Sequence, residues 1–188
     1  MAETLRAVVT SERTDAMEAR RWYACYTRSR HEKQVDRMLS ERGFETYLPL
    51  MPRVSQWKDR RKLIEFPLFP SYVFGRFRLS ESPRVLSTPG VATIVKANGG
   101  RLAAIEDAEL ENVRRFVQVL ATGVVEAEHC PFFAEGDWVE VVDGPLTGVR
   151  GVVVQKRNRR RVLIGLQAIG QGLEVDIRTN ALRPVSGP

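Results

Sequence analysis

The sequence predicts an α+β protein of two domains, a sandwich of about a hundred residues followed by a β-barrel of about fifty. Three observations support this prediction. Up to residue 122, amphipathic helical segments alternate with short aromatic or β-branched segments. Beyond residue 123, the chain offers only short β-type segments, which glycine turns separate. The length of 188 residues accommodates two small domains.

The first domain is expected to begin after a leader. Residues 1–20 lack apolar periodicity, which predicts a disordered segment. The aromatic residues of segment 21–27 predict a strand. A helix should follow, with Ser29 as its cap and Gly43 as its stop, because the apolar residues between them recur at helical spacing.

The middle of this domain predicts a hairpin and several strands. Residues 44–50 look extended, and residues 53–66 form two β-type arms around a basic tip. The aromatic segment 69–78 is the strongest strand candidate. A short helix or turn is expected over residues 80–87, and another strand over residues 91–96.

The second long helix is predicted over residues 105–121. Acidic residues in its first turns suit the positive end of the helix dipole. Its apolar stripe should consist of Leu110, Val113, Val117 and Leu120. The polar segment 126–129 predicts a spacer, and we place the first domain at 21–122 and a linker at 123–132.

The second domain is predicted over residues 133–188. It contains four β-branched or aliphatic segments that glycine-rich turns separate, a pattern typical of a small barrel. These predicted strands are residues 138–142, 149–155, 161–167 and 173–177.

Positive charge is concentrated in the first domain. The chain has a net charge of +6, and residues 21–122 hold 18 basic and 11 acidic side chains. Residues 123–188 hold eight of each kind. A polyanion is therefore expected to contact the first domain. The counts of basic and acidic side chains fit about as well with a charge excess that only keeps the protein soluble.

Several functional classes are excluded by what the sequence lacks. No run of about 18 apolar residues occurs, and the first twenty residues lack a signal-peptide core, so we expect a cytoplasmic protein without a membrane contact. Cys25 and Cys130 cannot build a disulfide framework, and His31 and His129 lack partners at metal spacing. Without a phosphate-binding glycine loop or a nucleophile elbow, we expect no enzyme, no metal and no cofactor.

Each predicted domain contains a sequence pattern that resembles a known protein family. Residues 67–74, Pro-Leu-Phe-Pro-Ser-Tyr-Val-Phe, and residues 21–26, Arg-Trp-Tyr-Ala-Cys-Tyr, resemble the central and first strands of the amino-terminal domain of the NusG family. That domain is an antiparallel sheet with flanking helices. A second pattern resembles the KOW motif of the SH3-like barrel in the same family: Gly136, Asp137, Gly144, Pro145, Gly148 and Gly151. A KOW pattern alone also occurs in ribosomal proteins, but the tandem order over residues 21–185 is highly specific.

The resemblance implies a bacterial transcription elongation or antitermination factor. Its amino-terminal domain would bind the clamp helices of RNA polymerase and suppress pausing, while the KOW domain recruits Rho or ribosomal protein S10. The Pro67-Leu68-Phe69-Pro70 run, together with the Arg60-Arg61-Lys62 run before it, resembles specialised, RfaH-like and capsule-operon antiterminators more closely than housekeeping NusG. A housekeeping factor and a ribosome-associated KOW RNA-binding protein stay open as alternatives. We expect a monomer.

The predicted polymerase contact consists of aromatic residues on two strands. Strand alternation puts Tyr72 and Phe74 on one face, and aromatic side chains are typical docking anchors. A central strand covered on both faces would explain the same pattern. The resemblance assigns polymerase binding to Tyr26, Phe69, Tyr72 and Phe74, with Pro70 shaping the start of the strand. Trp22 joins this predicted set because it shares strand parity with Tyr26, and a core position explains it equally well.

Two basic clusters are predicted to bind nucleic acid. Several cations together neutralise phosphates, and a nearby aromatic ring can stack on an unpaired base. The resemblance assigns the region of the first cluster to the non-template DNA strand, whereas a solvated charged face is the alternative for the second. The first cluster is Arg28, Arg30 and Lys33, and the second is Lys58, Arg60, Arg61 and Lys62.

Overall fold

The computed structural model describes residues 18–57, 60–125, 127–131, 136–156, 159–177 and 181–187. The side chains of residues 53–57, 60–63, 128–131, 155–156 and 159–160 lie outside this description. The helices are α1 (Glu32–Glu41), α2 (Ser82–Leu86) and α3 (Asp107–Ala121). The strands are β1 (Arg21–Thr27), β2 (Glu45–Tyr47), β3 (Leu50–Trp57), β4 (Arg60–Pro67), β5 (Tyr72–Phe77), β6 (Val91–Ile94), β7 (Ala104–Ile105), β8 (Ala127–Pro131), β9 (Trp138–Val141), β10 (Arg150–Lys156), β11 (Arg159–Leu166), β12 (Gln171–Asp176) and β13 (Leu182–Pro184).

The chain divides into two compact units. Residues 1–48 and 71–104 belong to the first unit, and residues 49–70 and 105–188 belong to the second. The predicted boundaries of leader, first domain, linker and second domain stay predictions, and residues 1–17 of the leader lie outside the described residues.

The first unit is built on an antiparallel sheet in the order β2-β5-β1-β6, with the short β7 beside β1. The ladder between β1 and β5 runs from Arg21 opposite Phe77 to Tyr26 opposite Tyr72. Because side chains alternate along a strand, the register assigns alternate residues to one face, which we call the aromatic face. This aromatic face carries Trp22, Ala24, Tyr26, Tyr72, Phe74 and Arg76.

The opposite face of this sheet forms the core of the first unit. Its side chains pack with apolar residues of α1 and α2, and the Phe77 ring lies 4.8 Å from the Tyr23 ring between centroids. Gly90 has φ +97°, and a Cβ there would lie 2.8 Å from Cγ2 of Val35, so glycine permits the close approach to α1. The core residues are Tyr23, Cys25, Val35, Leu39, Phe44, Val73, Phe77, Val85 and Ile94.

Two predicted element ends in the first unit are wrong. The helix α1 begins after His31 without a side-chain cap, so Ser29 is not the cap. Arg30 has φ +63° and interrupts the helical conformation between them. The strand β5 begins at Tyr72 rather than at residue 69, because Pro70 lacks an N–H and Ser71 adopts φ +66°.

The second unit contains the predicted hairpin, β3-β4, and the helix α3. The buried residues of α3 are Leu110, Val113, Phe116 and Leu120. Val117 is only half-buried, so the predicted stripe was wrong at this position. Phe116 lies three residues from Val113 and four from Leu120, which places its larger ring on the same helical face.

The rest of the second unit is a six-stranded antiparallel sheet in the order β13-β9-β10-β11-β12-β8. The four predicted strands correspond to β9, β10, β11 and β12. The segment predicted as a polar spacer contains β8, which pairs with β12. A polar strand can occupy the end of a sheet, because its side chains can remain in water. Among the described residues, no helix has both the length and the apolarity needed to cross a bilayer.

Candidate functional site

Two tyrosines occupy the exposed end of the aromatic face. The rings of Tyr26 and Tyr72 meet edge to face, with centroids 5.3 Å apart and an interplanar angle of 64°. Tyr26 is 42% exposed, Tyr72 is half-buried, and Pro70 beside them is exposed. Burial raises the pKa of Tyr72, and the neighbouring Tyr26 raises that pKa further. Both rings therefore offer an accessible apolar edge beside a polar hydroxyl, as interface anchors typically do.

The other aromatic residues of the predicted polymerase-binding set are buried. Trp22, Phe69 and Phe74 are 3%, 1% and 0% exposed. The Arg76 guanidinium lies 6.0 Å from the centroid of the Trp22 ring, and the Tyr47 ring lies 6.3 Å from the Phe74 ring. In this structure, the accessible members of the set are thus Tyr26, Pro70 and Tyr72. A polymerase-binding role for all six residues stays a prediction.

The backbone beside the tyrosines is held from two sides. The Ser71 N–H donates to Oε1 of Glu32 at 2.8 Å, and the Ser71 carbonyl accepts the Thr27 N–H at 2.8 Å. Glu32 is the first residue of α1 and is only 7% exposed. Sequence reasoning missed this residue, because an acidic side chain in the first turn of a helix is ordinarily an exposed dipole partner.

The first basic cluster lies where the loop after β1 enters α1, with Arg28 and Arg30 on the loop and Lys33 in the first turn of α1. Arg28, Arg30 and Lys33 are all exposed. The loop backbone is fixed, since the Arg28 N–H donates to the Gly90 carbonyl at 2.9 Å and the His31 N–H donates to the Arg28 carbonyl at 3.1 Å. The structure therefore brings the three cations next to the tyrosine end of β1.

The second basic cluster was predicted at the tip of the β3-β4 hairpin. Lys58 lies outside the described residues, and so do the side chains of Arg60, Arg61 and Lys62. The predicted nucleic-acid contact of this cluster stays a prediction.

The KOW-motif residues shape turns and close strand contacts. Gly144 and Gly148 have φ +88° and φ +83°, and the Gly148 N–H donates to the Val141 carbonyl at 2.7 Å. A Cβ on Gly151 would lie 2.5 Å from the Leu163 carbonyl oxygen, and one on Gly136 would collide with the Val153 carbonyl. Asp137 and Pro145 are exposed. The motif thus determines how the second-unit sheet packs and turns.

Among the side chains that the structure describes, there is neither a reactive cysteine nor a metal site. Cys25 is fully buried, and this burial raises the pKa of its thiol to about 12. Over the part of the chain that the structure describes, no group of three His, Cys, Asp or Glu side chains is arranged to hold a metal ion.

Comparisons with known proteins support the resemblance of the first predicted domain to the NusG family. The profile of the family described as "NusG: Transcription termination factor nusG" matches residues 20–114. The chain is 26% identical over 179 residues to the transcription termination/antitermination protein NusG of Pseudomonas aeruginosa, covering 89% of this chain and 99% of that protein. It is also 26% identical over 180 residues to the protein of the same name from Neisseria meningitidis, with the same coverage.

A solved structure of Thermotoga maritima NusG, described as showing domain interaction, is similar at 21% identity and a TM-score of 0.47. It covers 91% of this chain and 99% of its own. Since the family profile matches just over half of the chain, this protein belongs to the NusG family of transcription termination and antitermination factors.

Proposed function

We propose that this protein binds the clamp helices of RNA polymerase in the bacterial cytoplasm and suppresses pausing or termination, without an enzymatic activity of its own. The observation that supports this most is the accessible Tyr26–Tyr72 pair, which lies within the segment that the family profile matches. Aromatic side chains on a rigid strand end are typical anchors of a protein interface. A helical partner suits them, because its side chains at positions i and i+4 can flank two neighbouring rings.

The test is co-elution of the full chain with core RNA polymerase in gel filtration, with an isolated clamp-helix fragment as competitor. Wild-type protein should co-elute, and the fragment should abolish binding. The double variant Tyr26→Ala/Tyr72→Ala should fail to co-elute. Leu86→Ala is the matched control, because Leu86 is 46% exposed on α2.

Two results would count against this function. One is the absence of binding both to core polymerase and to an elongation complex assembled on a nucleic-acid scaffold. The other is co-elution with ribosomal subunits instead of polymerase, which would favour the ribosome-associated alternative.

We also propose that the non-template DNA strand contacts the basic loop. Arg28 and Arg30 are exposed on a loop that backbone hydrogen bonds hold at the end of β1, and Lys33 is exposed in the first turn of α1. Such cations add affinity by releasing counterions from phosphates, without reading the sequence of bases. A binding constant for single-stranded DNA that does not change with salt would contradict this proposal.

The second-unit sheet is proposed to recruit a further partner, Rho or ribosomal protein S10. Leu146 occupies the position where general NusG factors resembling this chain usually carry an aromatic residue, and it is 3% exposed. A buried leucine offers little surface to Rho, and this supports a specialised, RfaH-like role over a housekeeping one. Pull-down of Rho and S10 with the full chain separates the two partners. Transcript profiles of a deletion strain separate action at a few operons from action at all genes.

A further inference from the structure

We propose that Glu32 is a positioning residue, whose buried carboxylate holds Ser71 in a left-handed conformation and thereby sets the Tyr26–Tyr72 pair for its partner. This inference rests on the proposed function, because it concerns the same docking residues. Two hydrogen bonds, which we call the Ser71 latch, hold Ser71: its N–H donates to Glu32, and its carbonyl accepts the Thr27 N–H.

The tyrosine pair lies at the end of the regular pairing between β1 and its two neighbouring strands. Tyr26 and Tyr72 form the last matched position of the ladder between β1 and β5. On the other side of β1, the register with β6 shifts between Tyr26 and Thr27. Neither neighbouring strand therefore continues a regular ladder past the tyrosines, so something else must hold the chain at this end.

The Ser71 latch supplies that restraint. The Thr27 N–H donates to the Ser71 carbonyl at 2.8 Å and so adds one cross-strand bond beyond the ladder. The Ser71 N–H donates to Oε1 of Glu32, also at 2.8 Å. Both backbone groups of the residue just before Tyr72 are thereby tied, one to β1 and the other to α1.

The conformation of Ser71 explains why a restraint is needed. Ser71 has φ +66°, a region that residues with a Cβ adopt only at a cost. An unrestrained serine would favour negative φ, which would redirect the chain that enters β5 at Tyr72. A hydrogen bond to a carboxylate is stronger than one to a neutral acceptor, and burial strengthens it further.

Glu32 is well placed to act as the acceptor. It is 7% exposed and begins α1, where the helix dipole favours a negative charge. The adjacent loop carries Arg28 and Arg30, and Lys33 follows Glu32 in α1. Glu32 alone among the acidic residues of α1 is buried. The Glu32 carboxylate thus ties the residue before Tyr72 to the helix end that follows the basic loop.

The test compares Glu32→Ala, Glu32→Gln, Ser71→Gly and the double variant Glu32→Ala/Ser71→Gly in the full chain. Two quantities are measured. In the free protein, NMR gives the hydrogen-exchange protection of the Ser71 amide and the contact between the two tyrosine rings. With core polymerase, titration gives the Kd. Glu41→Ala is the control, because Glu41 lies on the same helix in an exposed ion pair with Arg37.

We expect Glu32→Ala to remove protection of the Ser71 amide, to loosen the ring contact and to weaken polymerase binding roughly tenfold. Glu32→Gln, which keeps an oxygen acceptor without the charge, should be intermediate. Ser71→Gly should restore most of the affinity in the Glu32→Ala background, since glycine adopts positive φ without the cost. If Glu32 only stabilised the fold, Ser71→Gly would not restore the polymerase affinity that Glu32→Ala removes.

The inference is overturned if Glu32→Ala leaves the Ser71 amide and the ring contact unchanged, or if Ser71→Gly rescues nothing. If Glu32→Ala does not fold, the same comparison is made with Glu32→Gln. A third outcome separates the two proposals. Glu32→Ala could loosen Ser71 in the free protein while the polymerase affinity stays constant in every variant, Tyr26→Ala/Tyr72→Ala included. That result would support the Ser71 latch and overturn the proposed docking role of the tyrosines.

Discussion

Truncation of Tyr26 is the perturbation whose effect on polymerase binding follows most directly from the structure. A tyrosine side chain presents roughly 200 Å² of surface. Since Tyr26 is 42% exposed, about 80 Å² is left for a partner to cover. At about 25 cal/mol per Å², covering this area contributes about 2 kcal/mol, or about 30-fold in Kd. Tyr26→Ala should therefore weaken binding by that factor.

The assay is fluorescence anisotropy of labelled full-length protein titrated with core polymerase at constant salt. Tyr26→Phe keeps the ring and should bind within about twofold of wild type. Leu86→Ala removes a side chain of similar exposure from α2 and should also bind normally. Urea unfolding of each variant shows whether a lost affinity reflects a lost fold. The reasoning is refuted if Tyr26→Ala binds like wild type, or if Leu86→Ala loses as much affinity as Tyr26→Ala.

Three further predictions concern the core, the buried thiol and the basic loop. Gly151→Ala should lower the free energy of unfolding by about 1–3 kcal/mol in urea denaturation, since its Cβ would lie 2.5 Å from the Leu163 carbonyl oxygen; an unchanged midpoint would contradict the close contact. In a Cys130→Ser background, the thiol of Cys25 should react with a disulfide reagent at pH 8 only after unfolding, because a pKa of about 12 keeps it protonated in the folded protein. Fast reaction of the native protein would show that the thiol is accessible. The variant Arg28→Ala/Arg30→Ala/Lys33→Ala should reduce the slope of log K against log salt concentration for single-stranded DNA binding by about 2. An unchanged slope would place the DNA contact elsewhere.

Local sequence patterns predicted the long helices and most strands because their causes are local. The spacing of apolar residues over α1 and the stop at Gly43 depend on side chains within a few turns of each other. The β-branched segments of β9, β10, β11 and β12 and the glycines between them carry the same kind of information. The resemblance to the NusG family, which the family profile confirms, also comes from residues that are contiguous in the chain.

Contacts between distant segments account for two of the predictions that were wrong. The polar segment before residue 132 forms β8 because β12, more than forty residues later, provides its partner. Ser29 does not cap α1, because Arg30 adopts positive φ in a loop whose backbone is bonded to Gly90, and the helix begins only after His31. Neither partner is visible from the propensities of the residues concerned.

The sequence by itself determined the fold class, the family and the set of aromatic and basic residues from which a site could be built. The tertiary structure decided which of those residues a partner can reach. Trp22 and Phe74 share a face with Tyr26 by strand alternation, yet they are buried and Tyr26 is exposed. The physical reason is that alternation assigns a side chain to a face, whereas packing of distant segments decides whether that face is covered. The contact of Glu32 with Ser71 is likewise tertiary, because it joins positions 39 residues apart.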